Sequence, residues 1–371
     1  MIELTRQDLY DILCGCAILG TGGGGSLEKG LRRIDEALAK GKKFRLVDFA
    51  EVPDEAWIAV PYMCGAISPS TPELEAQYAG LAELEEPMPY LAYKALEEYT
   101  GAEFYGVMST ELGGGNTAEA MYVGAWLGKY IIDADPAGRS VPEIQHSTFY
   151  INDLPVYPLA CASMFGDVAI LPRVVNDLRA EALVRAMAVA SKNHIGVADH
   201  PAQAKVLRNA VIKGAISYAW KLGKAYRETR AAGQPAASVI AELGGGRVLF
   251  RGTVSRFSYD TREGFTVGDV FIQGEGEYVG SEYHIWFKNE HMIAWRDSAV
   301  DVTVPDLIIV FNEETGEPNI NPFFKDGLPV SVIGLPSAPE WRTPRGLHEF
   351  GPRHFGYDID FKPVGGQETQ M

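Results

Sequence analysis

Acidic side chains cluster at the end of a short apolar segment near the middle of the chain. Asp133 and Asp135 are two residues apart at the end of the predicted strand Tyr130–Asp133, and Glu143 follows in the same loop. Two carboxylates at this spacing can share a divalent cation, or raise the pKa of one carboxyl through mutual repulsion. Arg139 could neutralise them or bind an anionic substrate with its planar guanidinium. A solvated turn held by an Asp–Arg ion pair is the alternative interpretation.

A second polar loop, Ser109–Asn116, follows the predicted strand Phe104–Met108. In open α/β sheets, ligands bind at the carboxyl ends of the strands, and this loop and the acidic one would open on the same sheet edge. Glu111 is therefore a candidate base or metal ligand, and Asn116 is a candidate amide clamp for the substrate. Alternatively, Asn116 or Thr117 only caps the next helix. The two loops together are the strongest site prediction in the sequence.

The glycine run near the N-terminus satisfies the pattern G-x-G-x-x-G formally through Gly20, Gly22 and Gly25. A dinucleotide site needs a strand before the glycines, whereas the preceding segment has helical periodicity, so neither NAD nor FAD is expected. Backbone without side chains before a helix N-terminus can instead hold an anion or carboxylate. A tight turn with close packing between two helices is the alternative. The candidate substrate-binding residues in this run are Gly22, Gly23, Gly24 and Gly25.

Metal binding is an open alternative for the acidic loop. None of the seven histidines belongs to a zinc motif on a predicted helix, so a metal site would have to be assembled from distant positions. A divalent metal such as zinc is then the candidate cofactor, with Asp133, Glu143 and His146 as candidate ligands. Serine catalysis is disfavoured because no G-x-S-x-G elbow is present. Cys64 is a candidate nucleophile, but a buried, inert thiol is the favoured interpretation.

The N-terminal segment has the spacing of an amphipathic helix. Its apolar residues recur at i, i+3, i+4, i+7 and i+8 from Leu9 to Ala17. Thr5 and Asp8 form a capping-box pattern at its start, and Ser26 is placed to cap a second helix after the glycine run. The glycine run is thus predicted to lie between two helices.

Short apolar strands alternate with helices from there to about residue 190, and this alternation predicts an α/β domain with a largely parallel sheet. The predicted strands are Phe44–Phe49, Trp57–Tyr62, Phe104–Met108 and Tyr130–Asp133. The predicted helices are Leu91–Tyr99, Ala118–Leu127, Asp177–Lys192 and Gln203–Ala231.

The pattern of predicted secondary structure changes after Gly244-Gly245-Gly246. From there, strands follow one another without helices, as in a small β-barrel or sandwich. We therefore predict an α/β domain over residues 1–244 and a β-barrel-like domain over residues 245–335, with the tail 336–371 packed back on the first domain. The predicted strands are Val248–Phe257, Phe265–Gln273, Tyr283–Lys288, His291–Trp295, Val300–Val304, Leu307–Phe311 and Val330–Gly334.

Composition restricts the classes of partner. A formal net charge of −16 over 371 residues argues against nucleic acid, because phosphate binding needs an excess of Lys and Arg. No uninterrupted apolar stretch long enough for a membrane span is present, and the N-terminus does not read as a secretion signal. We therefore expect a cytoplasmic protein with reduced thiols, a small-molecule substrate and no membrane partner. A homo-oligomer is compatible with this composition.

Several segments, taken in order along the chain, resemble the family of S-methyl-thiohydantoin desulfurase. They are Leu19–Gly25, Glu111–Asn116, Asp133–Glu143, Phe287–Glu290, Val304–Ile308 and Gly351–Tyr357. The resemblance implies a three-layer α/β domain joined to a smaller C-terminal β-barrel domain. A departure from the family pattern at Cys64–Ser68 bears on substrate specificity rather than on fold.

The resemblance also implies a reaction, in which water adds to an sp² carbon of a five-membered hetero-ring and a thiol leaves. The ring would be S-methyl-thiohydantoin or a related hydantoin. We expect Glu111, Asp133, Asp135 and Glu143 to supply the catalytic carboxylates. Asn116, Arg139 and the glycine backbone would orient the substrate, with the Asn289-Glu290 turn closing over the site. A non-catalytic ligand-binding or regulatory partner of a hydantoinase-type system is the alternative.

Overall fold

The computed structural model describes residues 1–66 and 70–365 and shows a mixed α/β protein with two sheets. The helices are α1 (Arg6–Leu19), α2 (Leu27–Ala39), α3 (Pro72–Tyr78), α4 (Met88–Thr100), α5 (Asn116–Leu127), α6 (Thr148–Ile151), α7 (Asp177–Val189), α8 (Ala204–Leu207), α9 (Ala215–Ala231), α10 (Ala236–Leu243) and α11 (Pro344–Phe350).

The strands of the first sheet are β1 (Ile2–Glu3), β2 (Arg45–Asp48), β3 (Trp57–Gly65), β4 (Phe104–Val107), β5 (Tyr130–Asp135), β6 (Leu159–Ala162), β7 (Val168–Leu171), β8 (His194–Gln203) and β9 (Ile212–Lys213). Those of the second sheet are β10 (Arg247–Arg262), β11 (Phe265–Gly274), β12 (Glu282–Lys288), β13 (Glu290–Arg296), β14 (Ala299–Thr303), β15 (Leu307–Asn312) and β16 (Pro329–Leu335).

The predicted capping box starts α1. The Thr5 amide donates to Asp8 Oδ2 over 2.8 Å, and the Asp8 amide donates to Thr5 Oγ1 over 3.2 Å. The apolar face of α1 is buried against α9, and the two helices approach closely at small residues. A Cβ added to Gly15 would lie 1.7 Å from the Ala219 carbonyl oxygen, and one added to Gly223 would lie equally close, at 1.7 Å, to the Asp11 oxygen. Glycine at these two positions therefore sets the distance between α1 and α9.

The first sheet is parallel only in its middle. Strands β2, β5, β4 and β3 are parallel neighbours, whereas β8, β6 and β7 extend the sheet antiparallel beyond β3, and β1 pairs antiparallel with β2. The predicted strands are confirmed, but β6, β7 and β8 are missing from the prediction. The expectation of a largely parallel sheet is therefore correct only for β2, β5, β4 and β3, of which β4 and β5 are followed by the two predicted site loops.

The predicted helices Asp177–Lys192 and Gln203–Ala231 are both too long. Helix α7 ends at Val189 because Lys192 and Asn193 adopt positive φ angles of 52° and 63°, which turn the chain into β8. The second prediction divides into α8, β9 and α9, with Gly214 at a φ of 72° before α9. Helical spacing of apolar residues persists across these breaks, so periodicity alone does not show them.

The second sheet is antiparallel, in the order β14-β13-β12-β11-β10-β16-β15. Its seven strands are those that the sequence predicts, with boundaries shifted by a few residues. The sheet curls into a half-barrel around a core that includes Phe250, Tyr283 and Phe287. The three-layer arrangement of the first part and a closed barrel stay predictions.

The C-terminal segment contacts both parts of the molecule. The Trp341 indole donates to the Ala137 carbonyl oxygen over 2.8 Å, close to the acidic loop. The Val364 amide donates to Asp306 Oδ2 over 2.9 Å at the second sheet. Among the described residues, no helix is long and apolar enough to cross a membrane.

Candidate functional site

A cavity of about 1080 Å³ lies between loops of the first sheet and the turn that joins β12 to β13. Its volume is that of a small-molecule site. We call it the central cavity. The predicted site residues that line it are Gly22, Gly23, Gly24, Gly25, Glu111, Asn116, Glu143, His146, Asn289 and Glu290.

The two glycine-rich loops pack against each other, backbone to backbone, on one side of the central cavity. The Gly24 carbonyl oxygen accepts hydrogen bonds from the amides of Gly115 (2.9 Å) and Asn116 (3.1 Å) at the start of α5. A Cβ added to Gly24 would lie 2.5 Å from Gly113 Cα. The amides at the N-terminus of α5 are therefore bound to protein and are not free to hold an anion.

The glycine run also forms backbone hydrogen bonds with the part of the chain that carries the second sheet. The Gly22 carbonyl oxygen accepts from the Asn321 amide over 2.7 Å, and the Thr21 oxygen accepts from the His291 amide over 2.8 Å. A Cβ added to Gly23 would lie 1.8 Å from Glu290 Oε1, so only glycine leaves room for this carboxyl group. The run is a docking surface for the β12–β13 turn as well as a wall of the cavity.

Glu111 is a buried carboxyl group held by two neighbours. Its Oε2 accepts from the Val141 amide over 2.9 Å, and its Oε1 accepts from the Asn116 side chain. The Asn116 amide group in turn pairs with the Met63 backbone of β3, at 2.9 and 3.1 Å. Burial raises the pKa of Glu111 above its usual range. Asn116 is the first residue of α5 rather than its cap, so it positions Glu111.

Glu290 brings a second carboxyl group into the cavity from β13. It is 2% exposed, and its Oε2 has no hydrogen-bond partner among the described residues. Burial raises the pKa of Glu290 well above its usual range, and the nearby Glu111 carboxyl raises it further. Two acidic groups with raised pKa values therefore share one cavity.

A third group of ionisable side chains lies where the acidic loop meets the C-terminal segment. Glu143, His146 and His354 place ligand-type atoms within 4.8 Å of one another. Lys288 and Gln145 both donate to the Glu143 carboxylate. Sequence analysis did not single out His354 or Lys288 as site residues. Each lies in a segment that carries the family resemblance, which is the only sequence feature that could have indicated them.

A buried hydrogen-bonded chain leads away from the cavity wall. The Tyr62 hydroxyl donates to Asp199 Oδ2 over 2.7 Å, and Asp199 Oδ1 lies 2.9 Å from His200 Nδ1. Although burial lowers the pKa of His200, the carboxylates of Asp199 and Asp177 raise it to about 9. These three residues were not predicted as a group because β8, which carries Asp199 and His200, was not predicted.

Contrary to the prediction, Asp133, Asp135 and Arg139 are not among the described residues that line the central cavity. Asp133 Oδ1 accepts from the Ser217 amide over 3.0 Å, and its other oxygen accepts from the Ser217 hydroxyl. Asp133 therefore anchors the first turn of α9. Among the described residues, Glu143 and His146 form a possible metal-binding group with His354, and Asp133, which we had predicted as a ligand, is not part of that group.

Asp135 has a structural environment of its own. Its Oδ1 accepts from the amides of Ala137 (2.7 Å) and Gly138 (2.6 Å), which fixes the start of the acidic loop. Burial raises the pKa of Asp135 to about 8. Desolvation is the main cause of this shift, and the carboxyl group that adds to it is Glu111 rather than Asp133, whose repulsion we had expected to raise a pKa here.

Arg139 joins the two sheets instead of clamping a substrate. Its side chain is fully buried and donates to the backbone oxygens of Pro305 (2.9 Å) and Asp306 (3.0 Å). It also donates to Thr21 Oγ1 over 2.9 Å and to the His291 oxygen over 3.3 Å. The predicted Asp–Arg ion pair in the acidic loop does not form.

Cys64 lines the cavity as an inert thiol. Burial raises the pKa of Cys64 to about 12, so the thiol stays protonated near neutral pH. Ile67 and Ser68, where the chain departs from the family pattern, lie outside the described residues.

Comparisons with known proteins agree with this architecture. A crystal structure of a protein from Chromobacterium violaceum superposes with a TM-score of 0.78 at 24% sequence identity, covering 98% of this chain and 100% of that one. At this identity, the likeness shows the fold. No curated protein matches the chain.

Two family models match almost the whole chain. They are described as the S-Me-THD-like N-terminal domain, over residues 7–173, and the S-Me-THD-like C-terminal domain, over residues 175–364. Their boundary differs from the start of the second sheet at Arg247, so the predicted division at residue 244 stays a prediction. The chain belongs to the S-Me-THD-like family, which is the S-methyl-thiohydantoin desulfurase family that its motifs resemble.

Proposed function

We propose that this protein is a hydrolase that releases a thiol from an S-methyl-thiohydantoin-like ring, or acts on the related hydantoin ring, in the central cavity. Family membership supports the class of substrate. The observation that carries the proposal is the convergence of Glu111 and Glu290, from different sheets, on one cavity with both pKa values raised. Carboxyl groups of this kind are suited to proton transfer near neutral pH.

Glu290 is the candidate general acid. Burial raises the pKa of Glu290 well above its usual range, and its Oε2 is free of protein hydrogen bonds within the described chain. In its protonated form, a buried carboxyl group can donate to a leaving sulfur or to a ring nitrogen.

Glu111 is the candidate base. A carboxylate with a raised pKa accepts a proton from water more readily than a free one does. The Val141 amide and Asn116 hold both of its oxygens in fixed directions, so it is oriented before a substrate enters. This arrangement costs no reorganisation at the moment of reaction.

The proposed reaction is hydrolysis of the carbon–sulfur bond on the ring, with water as the only co-reactant. The water oxygen bonds to the sp² carbon between the two ring nitrogens, and Glu111 passes the first water proton to the ring nitrogen. The carbon–sulfur bond then breaks, and Glu290 protonates the departing methanethiolate. The remaining hydroxyl proton returns to Glu290 as the carbonyl forms, leaving methanethiol and a hydantoin.

The glycine run can supply donors for the charge that develops on the ring. Gly24 and Gly25 line the cavity, and within the described chain their backbone amides donate to no protein acceptor. Backbone donors fixed in this way stabilise a developing anion without a side chain. We therefore retain Gly24 and Gly25, from the predicted run Gly22–Gly25, as candidate substrate-binding residues that act through their backbone amides.

The test is thiol release from S-methyl-thiohydantoin by the purified protein, followed with a thiol reagent and by mass spectrometry of the hydantoin. Glu290→Gln keeps the shape of the side chain but cannot cycle a proton, so we expect kcat to fall by at least about 100-fold. Glu98→Gln is the matched control, because Glu98 is exposed on α4.

Full activity of Glu290→Gln would contradict the assignment of Glu290 as the acid. A folded wild-type protein that binds the ring tightly without releasing thiol would favour the ligand-binding alternative instead.

A further inference from the structure

We propose that Glu143, His146 and His354 bind one divalent transition-metal ion, with zinc as the best match, on the wall of the central cavity. Binding of the ion is independent of the proposed reaction. Its role in that reaction, described below, rests on the proposed function.

The three side chains come from two distant segments that the fold brings together. Glu143 and His146 belong to one turn of the acidic loop, in which the His146 amide donates to the Glu143 oxygen over 3.0 Å. His354 belongs to a short helical turn, Pro352–Phe355, in the C-terminal segment. Their ligand-type atoms lie within 4.8 Å of one another. Zinc with bonds of about 2.0–2.2 Å needs ligand atoms roughly 3.4 Å apart, so only a small contraction is required.

His146 provides the independent observation. It is fully buried, yet neither ring nitrogen has a hydrogen-bond partner among the described residues. Buried polar atoms nearly always have a partner, so an imidazole with two orphan nitrogens needs an explanation. A metal ion bound to one of these nitrogens would give that nitrogen a partner.

Aromatic rings enclose His146. The rings of Phe350 and Phe355 pack at centroid distances of 4.5 and 5.5 Å, and the His354 ring lies at 4.6 Å. A metal ion at this position would bind a lone pair of the imidazole.

Lys288 is the competitor for the metal at Glu143. Its ammonium group donates to Glu143 Oε1 and also lies 4.0 Å from the centre of the Phe265 ring. An ion that binds this oxygen must displace the ammonium group or bind beside it. The same cation therefore weakens metal binding through repulsion, and removing it should strengthen binding.

Three protein ligands with a fourth position open to a cavity are the pattern of a catalytic rather than a structural zinc site. Glu143 and His146 both line the central cavity. A bound zinc ion would supply a water of lowered pKa there.

The experiment measures zinc binding by the full chain after chelator treatment, with a competing zinc indicator and elemental analysis. We expect one zinc per chain for the wild type and for His348→Gln, an exposed histidine of the same C-terminal segment. His354→Gln should bind at least about 100-fold more weakly, because losing a ligand costs at least as much as losing a supporting residue. His354 is only partly buried, and circular dichroism checks that the variant is folded.

Lys288→Gln supplies the second variant, and its affinity for zinc should increase. Wild-type protein without stoichiometric zinc, or equal affinity in wild type and His354→Gln, would overturn the proposal. Stoichiometric zinc without thiol release leaves the metal site standing and removes the proposed reaction. Chelator-insensitive thiol release by zinc-free protein does the reverse.

Discussion

The buried carboxyl groups of Asp135 and Glu290 have different roles, although burial raises the pKa of both. Asp135 is bonded to two loop amides and lies outside the cavity lining, whereas Glu290 lines the cavity. Desolvation is the largest cause of both raised pKa values. A raised pKa therefore identifies a buried acid, and only its geometry identifies a catalytic one.

We expect Asp135 to make the stability of the protein depend on pH. Its folded pKa of about 8 lies above the unfolded value of 3.8, so the folded state binds one more proton between these values. The contribution of Asp135 is complete below about pH 4 and is lost as the pH rises to 8, by at most ~1.4 kcal/mol per pH unit. Urea unfolding of wild type and Asp135→Asn at pH 5, 6, 7 and 8 measures this slope, which the neutral variant should lack.

The same variant tests the sequence-based assignment of Asp135 to catalysis. Because Asp135 does not line the cavity, we expect Asp135→Asn to retain thiol release per folded molecule. Loss of turnover in a folded variant would restore the original assignment. Parallel pH slopes for both proteins would show that Asp135 is ionised in the folded state.

At the scale of elements, the glycine run is a point of assembly. It ends α1, forms backbone contacts with the Gly113–Gly115 loop, and leaves space for the β12–β13 turn. The tight helix–helix turn and the anion cradle were alternatives in the sequence. The tight turn between two helices is confirmed, whereas the anion cradle stays a prediction.

Gly23→Ala should therefore separate the two sheets locally. The added Cβ would meet Glu290 Oε1 at 1.8 Å, and displacing this carboxyl group should cost about 1–3 kcal/mol of stability and most of the thiol release. Gly80→Ala is the control, because a Cβ at that exposed position meets no atom within 4 Å. Chemical unfolding and turnover measure the two effects. Wild-type values for Gly23→Ala would mean that Glu290 does not need its present position.

At the scale of the whole molecule, the buried Arg139 connects the acidic loop to the second sheet. Its guanidinium group donates to backbone oxygens of Pro305, Asp306 and His291, and to Thr21. The C-terminal segment adds further connections, including Trp341 to Ala137. The cavity thus lies in a junction that these bonds hold together.

Arg139→Lys should weaken this junction without changing the charge. A single ammonium group cannot reach four acceptors placed for a planar guanidinium, so we expect a loss of about 3 kcal/mol or more in the free energy of unfolding. Arg32→Lys, at an exposed position on α2, should change stability by less than about 0.5 kcal/mol. Denaturant unfolding checks both. If Arg139→Lys changed the free energy of unfolding as little as Arg32→Lys, the carbonyl oxygens would have to be hydrogen-bonded to water in the variant.

The local elements around the site follow from the amino-acid sequence alone. The capping box of α1, the four parallel strands and the seven strands of the second sheet follow from periodicity and turn residues, which act over a few positions. It also placed Glu111, Glu143, His146 and Glu290 among the candidate residues, because polar groups at strand ends and in the family motifs carry that information.

Which of these residues meet depends on the long-range packing of the folded chain. The direction of a side chain at a strand end depends on what packs beside it, so Asp133 faces α9 and Arg139 faces the second sheet. Glu143 lies beside His354, which is 211 positions further along the chain. Strands β6, β7 and β8 owe their pairing to neighbours far away in sequence. Long-range contacts and burial are properties of the folded molecule, and no local pattern records them.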